Sequence, residues 1–280
     1  MWLEEYIVER TLEPVVRVEG LRKVYSLGDG QVIALAGIDL EIQAGEFVAV
    51  MGPSGSGKST FMQITGLLDN PTAGQYYFEG TDVSHLDADA RADIRSRRLG
   101  FVFQAYNLLP RTSALENVEL PMVYAGVPAA ERARIARDMM EIVGVDHLAH
   151  HHPNQMSGGQ QQRVAIARSL VNHPGLILAD EPTGALDTKT SEDVMRIFKE
   201  LNEKQGITIM LVTHEPDIAA HAKRIVTFRD GNVISDTLRQ AQGDRLVAHG
   251  DRLVAQGDRL QAYGETCHAE PVEAWKERVA

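Results

Sequence analysis

The sequence predicts an α/β fold built around a phosphate-binding loop, with antiparallel β-structure before the loop and a helical block inserted after it. Three observations carry this. An apolar run, Val48-Ala-Val-Met51, leads into Gly52-Pro53-Ser54-Gly55-Ser56-Gly57-Lys58-Ser59-Thr60 and on into Phe61-Met62. The pattern G-x-x-x-x-G-K-[ST] therefore stands between a strand and a helix, the context such a loop requires. Leu176–Asp180 and Ile207–Val212 are further short apolar runs, the mark of strands covered on both faces. Between about Leu86 and His152 the apolar spacing becomes helical.

Composition excludes several classes. With 280 residues, 44% of them hydrophobic and 24% charged, the chain suits one large or two modest globular domains. No apolar run approaches the ~18 residues of a membrane span. The first ten residues are acidic where a secretory signal is basic and then apolar, so the chain is expected in the cytosol. One cysteine, Cys267, leaves neither a disulfide framework nor a cysteine zinc cluster. A net charge of −11 argues against a generic binder of nucleic-acid backbone.

Taken in order, the elements have separate reasons. From Val15 to Leu68, short alternating runs such as Val16-Arg-Val18 and Ile38-Asp-Leu40-Glu-Ile42 are broken by Gly28-Asp-Gly30 and Ala44-Gly45, which predicts antiparallel strands. Tyr25, read as lying on a β-turn here, can stack on a base, although an aromatic alone is more often packing. In the loop, Gly52, Gly55 and Gly57 let backbone N–H groups converge on phosphate oxygens at a helix start. Lys58 is placed to reach the β- and γ-phosphates and the Ser59 hydroxyl to ligate Mg²⁺. Asp87–Arg98 is charged on most faces, and its arginines, Arg91, Arg95, Arg97 and Arg98, read as a solvated helix face among acids. Gly100-Phe-Val-Phe-Gln104 is a short strand ending in an amide, which can ligate Mg²⁺, position a water or simply lie at the surface. Behind Pro128, a helix with Ile135, Met139, Ile142 and Val143 on its apolar face is expected. His147, His150, His151 and His152 lack partner ligands at metal spacing.

The chemistry concentrates further on. Leu176–Asp180 delivers Asp180 and Glu181 to the C-terminal end of a strand, where open α/β sheets bind ligands. Alternation along the strand keeps them from pointing the same way. Asp180 then suits the Mg²⁺ shell, and Glu181 suits the proton of an attacking water. His214, at the end of the next strand, can hydrogen-bond a phosphate or the water, or be structural. Ser157-Gly158-Gly159-Gln160 opens a helix with a Val164, Ala167, Leu170 stripe, a second helix N-terminus able to bind an anion. One phosphate chain cannot occupy two distant helix N-termini of one domain, so two subunits sharing a nucleotide is an attractive solution.

Together the phosphate loop, Gln104, Ser157-Gly-Gly-Gln160, the Asp180-Glu181 strand, Gly184-Ala-Leu-Asp187 and His214 resemble, in this order, the nucleotide-binding subunit of an ABC transporter over roughly residues 15–236. Asn117-Val-Glu-Leu-Pro121, Val123-Tyr-Ala-Gly126, Gln160-Gln-Gln-Arg163-Val-Ala-Ile-Ala-Arg168 and Leu178-Ala-Asp-Glu-Pro-Thr-Gly-Ala-Leu-Asp187 are similar to the MacB/LolD branch, MacB most of all. The resemblance implies an ATPase that uses ATP and Mg²⁺ and pairs head to tail as a homodimer. Each ATP then lies between one subunit's loop and the other's Ser157-Gly158-Gly159-Gln160. It implies that Tyr25 stacks on adenine, Gln104 senses Mg²⁺ and couples to a membrane subunit, Glu181 is the general base, Asp187 signals across the dimer and His214 holds the γ-phosphate. Met156 departs from the usual leucine by a near volume-conserving change. MacB fuses the domain to a permease, so here a separate permease is expected. The chain would sit peripherally on the cytoplasmic face of the membrane, touching it only through that partner. An FtsE-type regulator of a membrane partner is the nearest alternative. A soluble DNA-associated ATPase would carry a long coiled-coil insertion that this sequence lacks.

The boundaries expected are an N-terminal extension over 1–14, an ATP-binding domain over 15–236 with a helical insert at about 105–170, and a repetitive tail over 237–280. Gly243-Asp-Arg-Leu-Val-Ala-His249 recurs twice more at seven-residue spacing. Leu246, Leu253 and Leu260 fill only one seam, and each mid-helix glycine costs about 1 kcal/mol, so a coiled coil is not expected.

Overall fold

The computed structural model describes residues 13–27, 30–238 and 247–248. Two sheets carry the architecture. The first is antiparallel, in the order β2-β1-β4-β5, with β1 at Val16–Leu27, β2 at Gly30–Ile42, β4 at Ala73–Phe78 and β5 at Thr81–Asp82. The second, in the order β11-β10-β9-β3-β8-β7-β6, comprises β3 (Phe47–Met51), β6 (Leu99–Phe103), β7 (Leu176–Asp180), β8 (Thr208–Val212), β9 (Arg224–Arg229), β10 (Asn232–Leu238) and β11 (Val247–Ala248). Strands β9, β3, β8, β7 and β6 run parallel. The helices are α1 (Lys58–Thr65), α2 (Ala88–Arg98), α3 (Ala114–Tyr124), α4 (Ala129–Ile142), α5 (Gly158–Leu170), α6 (Thr188–Gln205) and α7 (Pro216–Ala219).

The uninterrupted apolar runs become the interior strands because both faces of the parallel sheet are covered. Successive residues go to opposite sides: Ala49, Ile177, Ala179, Ile209 and Leu211 join one buried cluster, and Val48, Val50, Leu178, Met210 and Val212 join another. The first cluster is completed by α3–α6, through residues such as Val118, Met140, Ile166 and Phe198. The second is completed by the antiparallel sheet and α1, through Val16, Ile38, Tyr76, Phe78 and Phe61.

Several expectations needed correction. Antiparallel structure precedes the loop, as expected, but β4 and β5 join the same sheet after α1. The β9–β10 hairpin was not anticipated either. Its turn, Asp230-Gly231, holds both residues at positive φ (50° and 76°), the conformation that suits Asp-Gly between twisted strands. On α4, Ile142 faces outward at 45% exposure, and Ala136 and Met140 take the buried positions. The arginines of α2 do not form one solvated face. Arg97 pairs with Asp93 at 2.8 Å, but Arg95 donates to the Leu67 carbonyl, and Arg98 is buried against Glu79 with bonds of 2.6 and 3.1 Å. This pair ties the β4–β5 turn to the end of α2. Strand β10 continues to Leu238, past the boundary expected at Asp236, and Thr237 and Leu238 pair with Val247–Ala248 of the first heptad unit. The other units lie outside the described residues, as do Gly28 and Asp29.

Arg98→Ala should destabilise the protein by about 3 kcal/mol, because it leaves the Glu79 carboxylate nearly enclosed and unpaired. Urea unfolding measures this, and Arg98→Met combined with Glu79→Leu should recover most of the loss. An unchanged midpoint for the single variant would mean the pair is a surface contact only.

Candidate active site

The phosphate loop runs from the end of β3 to the start of α1, and its glycines answer separate constraints. Gly52 has φ 147°, and a Cβ there would lie 2.2 Å from the Phe228 carbonyl oxygen; at Gly57, the N-cap of α1 with φ 103°, it would lie 2.5 Å from the Ala34 carbonyl oxygen. Gly55 faces open space and is required only by its φ of 79°. Lys58 is 7% exposed. Its ammonium donates to the Gly52 and Pro53 carbonyls at 2.7 and 2.9 Å. Burial lowers its pKa, while Glu181 and Asp180 act in the opposite sense. Ser56 Oγ is buried beside it with no hydrogen-bond partner.

The loop forms one wall of a cleft of about 810 Å³, to which Tyr25, Val32, Ile33, Glu181 and His214 also contribute. Asp180 is the last residue of β7. Burial, then the Glu181 charge, raises its pKa, and Lys58 lowers it. Glu181 turns left-handed at φ 43°, and its N–H donates to the Val212 carbonyl at 2.9 Å. That hydrogen bond holds a conformation that glutamate rarely adopts. It directs the carboxylate to His214 Nδ1, 2.7 Å away, just beyond β8. Lys58, Glu181 and His214 therefore meet at one cleft.

Gln104, Ser157-Gly158-Gly159-Gln160 and Asp187 do not line that cleft. Ser157 caps α5, its Oγ accepting from Gln160 N–H at 3.3 Å while Gln160 Oε1 accepts from Ser157 N–H at 2.9 Å. Close packing keeps the helix mouth small: a Cβ on Gly158 would lie 2.7 Å from the Tyr106 hydroxyl, and one on Gly159 would lie 2.3 Å from Thr190 Cγ2. Asp187 caps α6, accepting from Thr190 N–H at 3.0 Å and Thr190 Oγ1 at 2.7 Å; these bonds lower its pKa. The Gln104 amide packs on Gly184. Tyr25 lies in β1, not on a turn.

Sequence reasoning assigns no role to three residues that hold this arrangement, two of them, Gln162 and Arg168, within a stretch that carries the resemblance. Arg168 donates to the carbonyls of Tyr106 (2.9 Å) and Asn107 (2.6 Å), both at positive φ, and so fastens the Gln104 loop along α5. Gln162 donates to the Pro182 carbonyl at 2.7 Å, tying α5 to the segment after Glu181. Asp69 accepts from the Tyr25 hydroxyl at 3.0 Å. The available signal was faint, a polar side chain beside an apolar run.

A lysine at a glycine-framed helix start meets a carboxylate and a histidine from neighbouring strand ends at one cleft, the arrangement of a phosphate-binding enzyme. The family model described as ABC transporter matches residues 35–184, and the chain belongs to that family. An uncharacterized ABC transporter ATP-binding protein of Thermotoga maritima is 52% identical over 222 residues, covering 79% of this chain and 94% of its own. The macrolide export ATP-binding/permease protein MacB of Brucella melitensis is 51% identical over 227 residues, or 81% of this chain; the match spans only 35% of MacB. Among solved structures, the dimeric cassette MJ0796 is similar, with a TM-score of 0.75 and 44% identity, over 81% of this chain and 99% of that one.

Gly52→Ala should perturb the loop far more than Gly55→Ala, since the first meets backbone and the second only a left-handed φ, about 1 kcal/mol. Comparing their denaturation midpoints checks this, and equal shifts would mean the Phe228 contact does not constrain the loop.

Proposed function

We propose that this chain is the ATP-hydrolysing subunit of an exporter or lipoprotein-releasing system, working as a homodimer and powering a separate MacB/LolD-type permease. The observation that carries the reading is the meeting of Lys58, Glu181 and His214 at one cleft while the capped mouth of α5 is held outside it. A second copy presenting its Ser157-Gly158-Gly159-Gln160 completes each site. The relatives support the partner: some are named as ATP-binding proteins over nearly their whole length, others as ATP-binding/permease proteins. Among the described residues no helix is long and apolar enough to cross a membrane. The ATP-binding unit is proposed to run from residue 15 through the end of β10 at Leu238, held peripherally on the cytoplasmic face by the permease. Leu109 (44% exposed), Val123 and Tyr124 (75%) offer an apolar surface for it, whereas Leu108 packs into the helical core.

The residues fit a triphosphate and a hard cation. The cradle at Gly52 and Gly57 admits no Cβ, the helix start points N–H groups outward, and Ser56 Oγ lacks a partner. Ser59 and Asp180 supply oxygen donors that suit Mg²⁺, which would neutralise developing phosphate charge; Gln104, outside the cleft here, would join them only by moving toward it. Tyr25 stacks on adenine, and Pro53, Ser54 and Thr60 complete the loop. Lys58 exchanges its loop carbonyls for β- and γ-phosphate oxygens. Glu181 uses one carboxylate oxygen for His214, leaving the other to accept the proton of the attacking water. The second ring nitrogen of His214 is left for the γ-phosphate, and Asp187 signals between subunits.

Glu181→Gln should bind ATP normally, lose about 10² to 10⁴ in turnover and accumulate as an ATP-bound dimer. Analytical ultracentrifugation with ATP and Mg²⁺, beside a phosphate-release assay, tests both halves. A variant that stays monomeric and still turns over contradicts the base role and the shared site together.

A further inference from the structure

The cleft is also lined by residues of the antiparallel sheet. Tyr25 lines it with Val32 and Ile33, whose side chains are about half exposed at 48% and 51%. Tyr25 and Val32 are cross-strand partners, so ring and aliphatic chain stand side by side on one sheet face. The ring is tied from several directions. Its hydroxyl donates to Asp69 Oδ2 at 3.0 Å. The other Asp69 oxygen accepts from Lys23 Nζ and from Asn70 N–H, each at 2.7 Å. Lys23 also donates to the Asn70 carbonyl at 2.7 Å, and its ammonium stands 5.0 Å from the centre of the Tyr25 ring.

From this geometry we propose that Asp69 is the positioning residue for base recognition, fixing Tyr25 so that adenine stacks on the ring face that Lys23 leaves free. The inference rests on the reading of the cleft as the ATP site. A cation over one face of an aromatic ring leaves the opposite face for a planar group. A ring whose rotation is already arrested loses less freedom when a base stacks on it. Asp69 follows the end of α1, the helix whose start carries Lys58, so one short rigid element sets both the phosphate contact and the pin behind the base. Lys23 is the second half of the pin: it neutralises Asp69 and occupies the face that the base does not use. Asp69 acts only through Tyr25 and touches no part of the nucleotide.

The test titrates Mg²⁺-ATP and Mg²⁺-tripolyphosphate, which lacks a base, into wild type, Tyr25→Phe, Asp69→Ala and the double variant by calorimetry. Tyr25→Phe keeps the ring and removes only the tie, and thermal melts confirm that each variant is folded. Each single change should weaken ATP by about fivefold, the effect of one lost hydrogen bond, and leave tripolyphosphate unchanged. The double variant should bind ATP no more weakly than the singles, since both remove the same restraint. Wild-type ATP affinity in Tyr25→Phe, an equal loss for tripolyphosphate, or losses that multiply in the double variant would each overturn the proposal. If wild type binds tripolyphosphate and ATP equally well, adenine is not stacked at all and the proposal falls. If it binds neither, the phosphate-loop reading itself has failed.

Discussion

The constraint on which the rest depends is the register of the parallel sheet. Val226, Val50, Val212, Asp180 and Phe103 lie in a single row across β9, β3, β8, β7 and β6. Chain leaving that row therefore emerges at one edge: the phosphate loop after β3, His214 after β8, Glu181 after β7 and Gln104 after β6. Because side chains alternate, slipping any of these strands by one residue would turn its buried set onto the wrong face. The two separate apolar clusters, one on each face, thus fix the register on which the active-site geometry rests.

Charge is then set against that scaffold. Lys58, Asp180 and Glu181 sit close enough to influence one another, and burial acts against ionisation of both Lys58 and Asp180. Such a cluster is tolerated because its members partly neutralise each other, and it suits a ligand that brings both negative phosphates and a hard cation. The left-handed turn at Glu181 belongs to the same economy of placement. It separates two adjacent carboxylates, one at the sheet end and one bonded to His214.

Much of this was legible in the sequence, for physical reasons that can be named. Strands β3, β7 and β8 announce themselves because a strand buried on both faces must be apolar throughout. The Lys58 loop announces itself because glycines and lysine at that spacing have one use between a strand and a helix. Other features depend on partners far away in the chain. Asp69 meets Tyr25 across 44 positions and Arg168 meets Tyr106 across 62, so neither has a local pattern. Strand β4, in Ala73-Gly-Gln-Tyr-Tyr-Phe78, opens on small and polar residues and lacks the unbroken apolar run of the interior strands, and it is β1 that recruits it. The β9–β10 hairpin does have a local mark, Asp230-Gly231 between two short strands. Ile142 fits the apolar spacing of α4 as well as Met140 does; packing against α3 and α5 decides between them.

The central claim is that this sheet edge binds ATP through Lys58. The most direct measurement is calorimetric titration of Mg²⁺-ATP into the wild-type chain and Lys58→Ala, both confirmed as folded by their melting curves. The account predicts saturable binding to wild type and a loss of at least about tenfold in the variant, the worth of one charge-assisted hydrogen bond to phosphate. Equal affinity in the two proteins would contradict it.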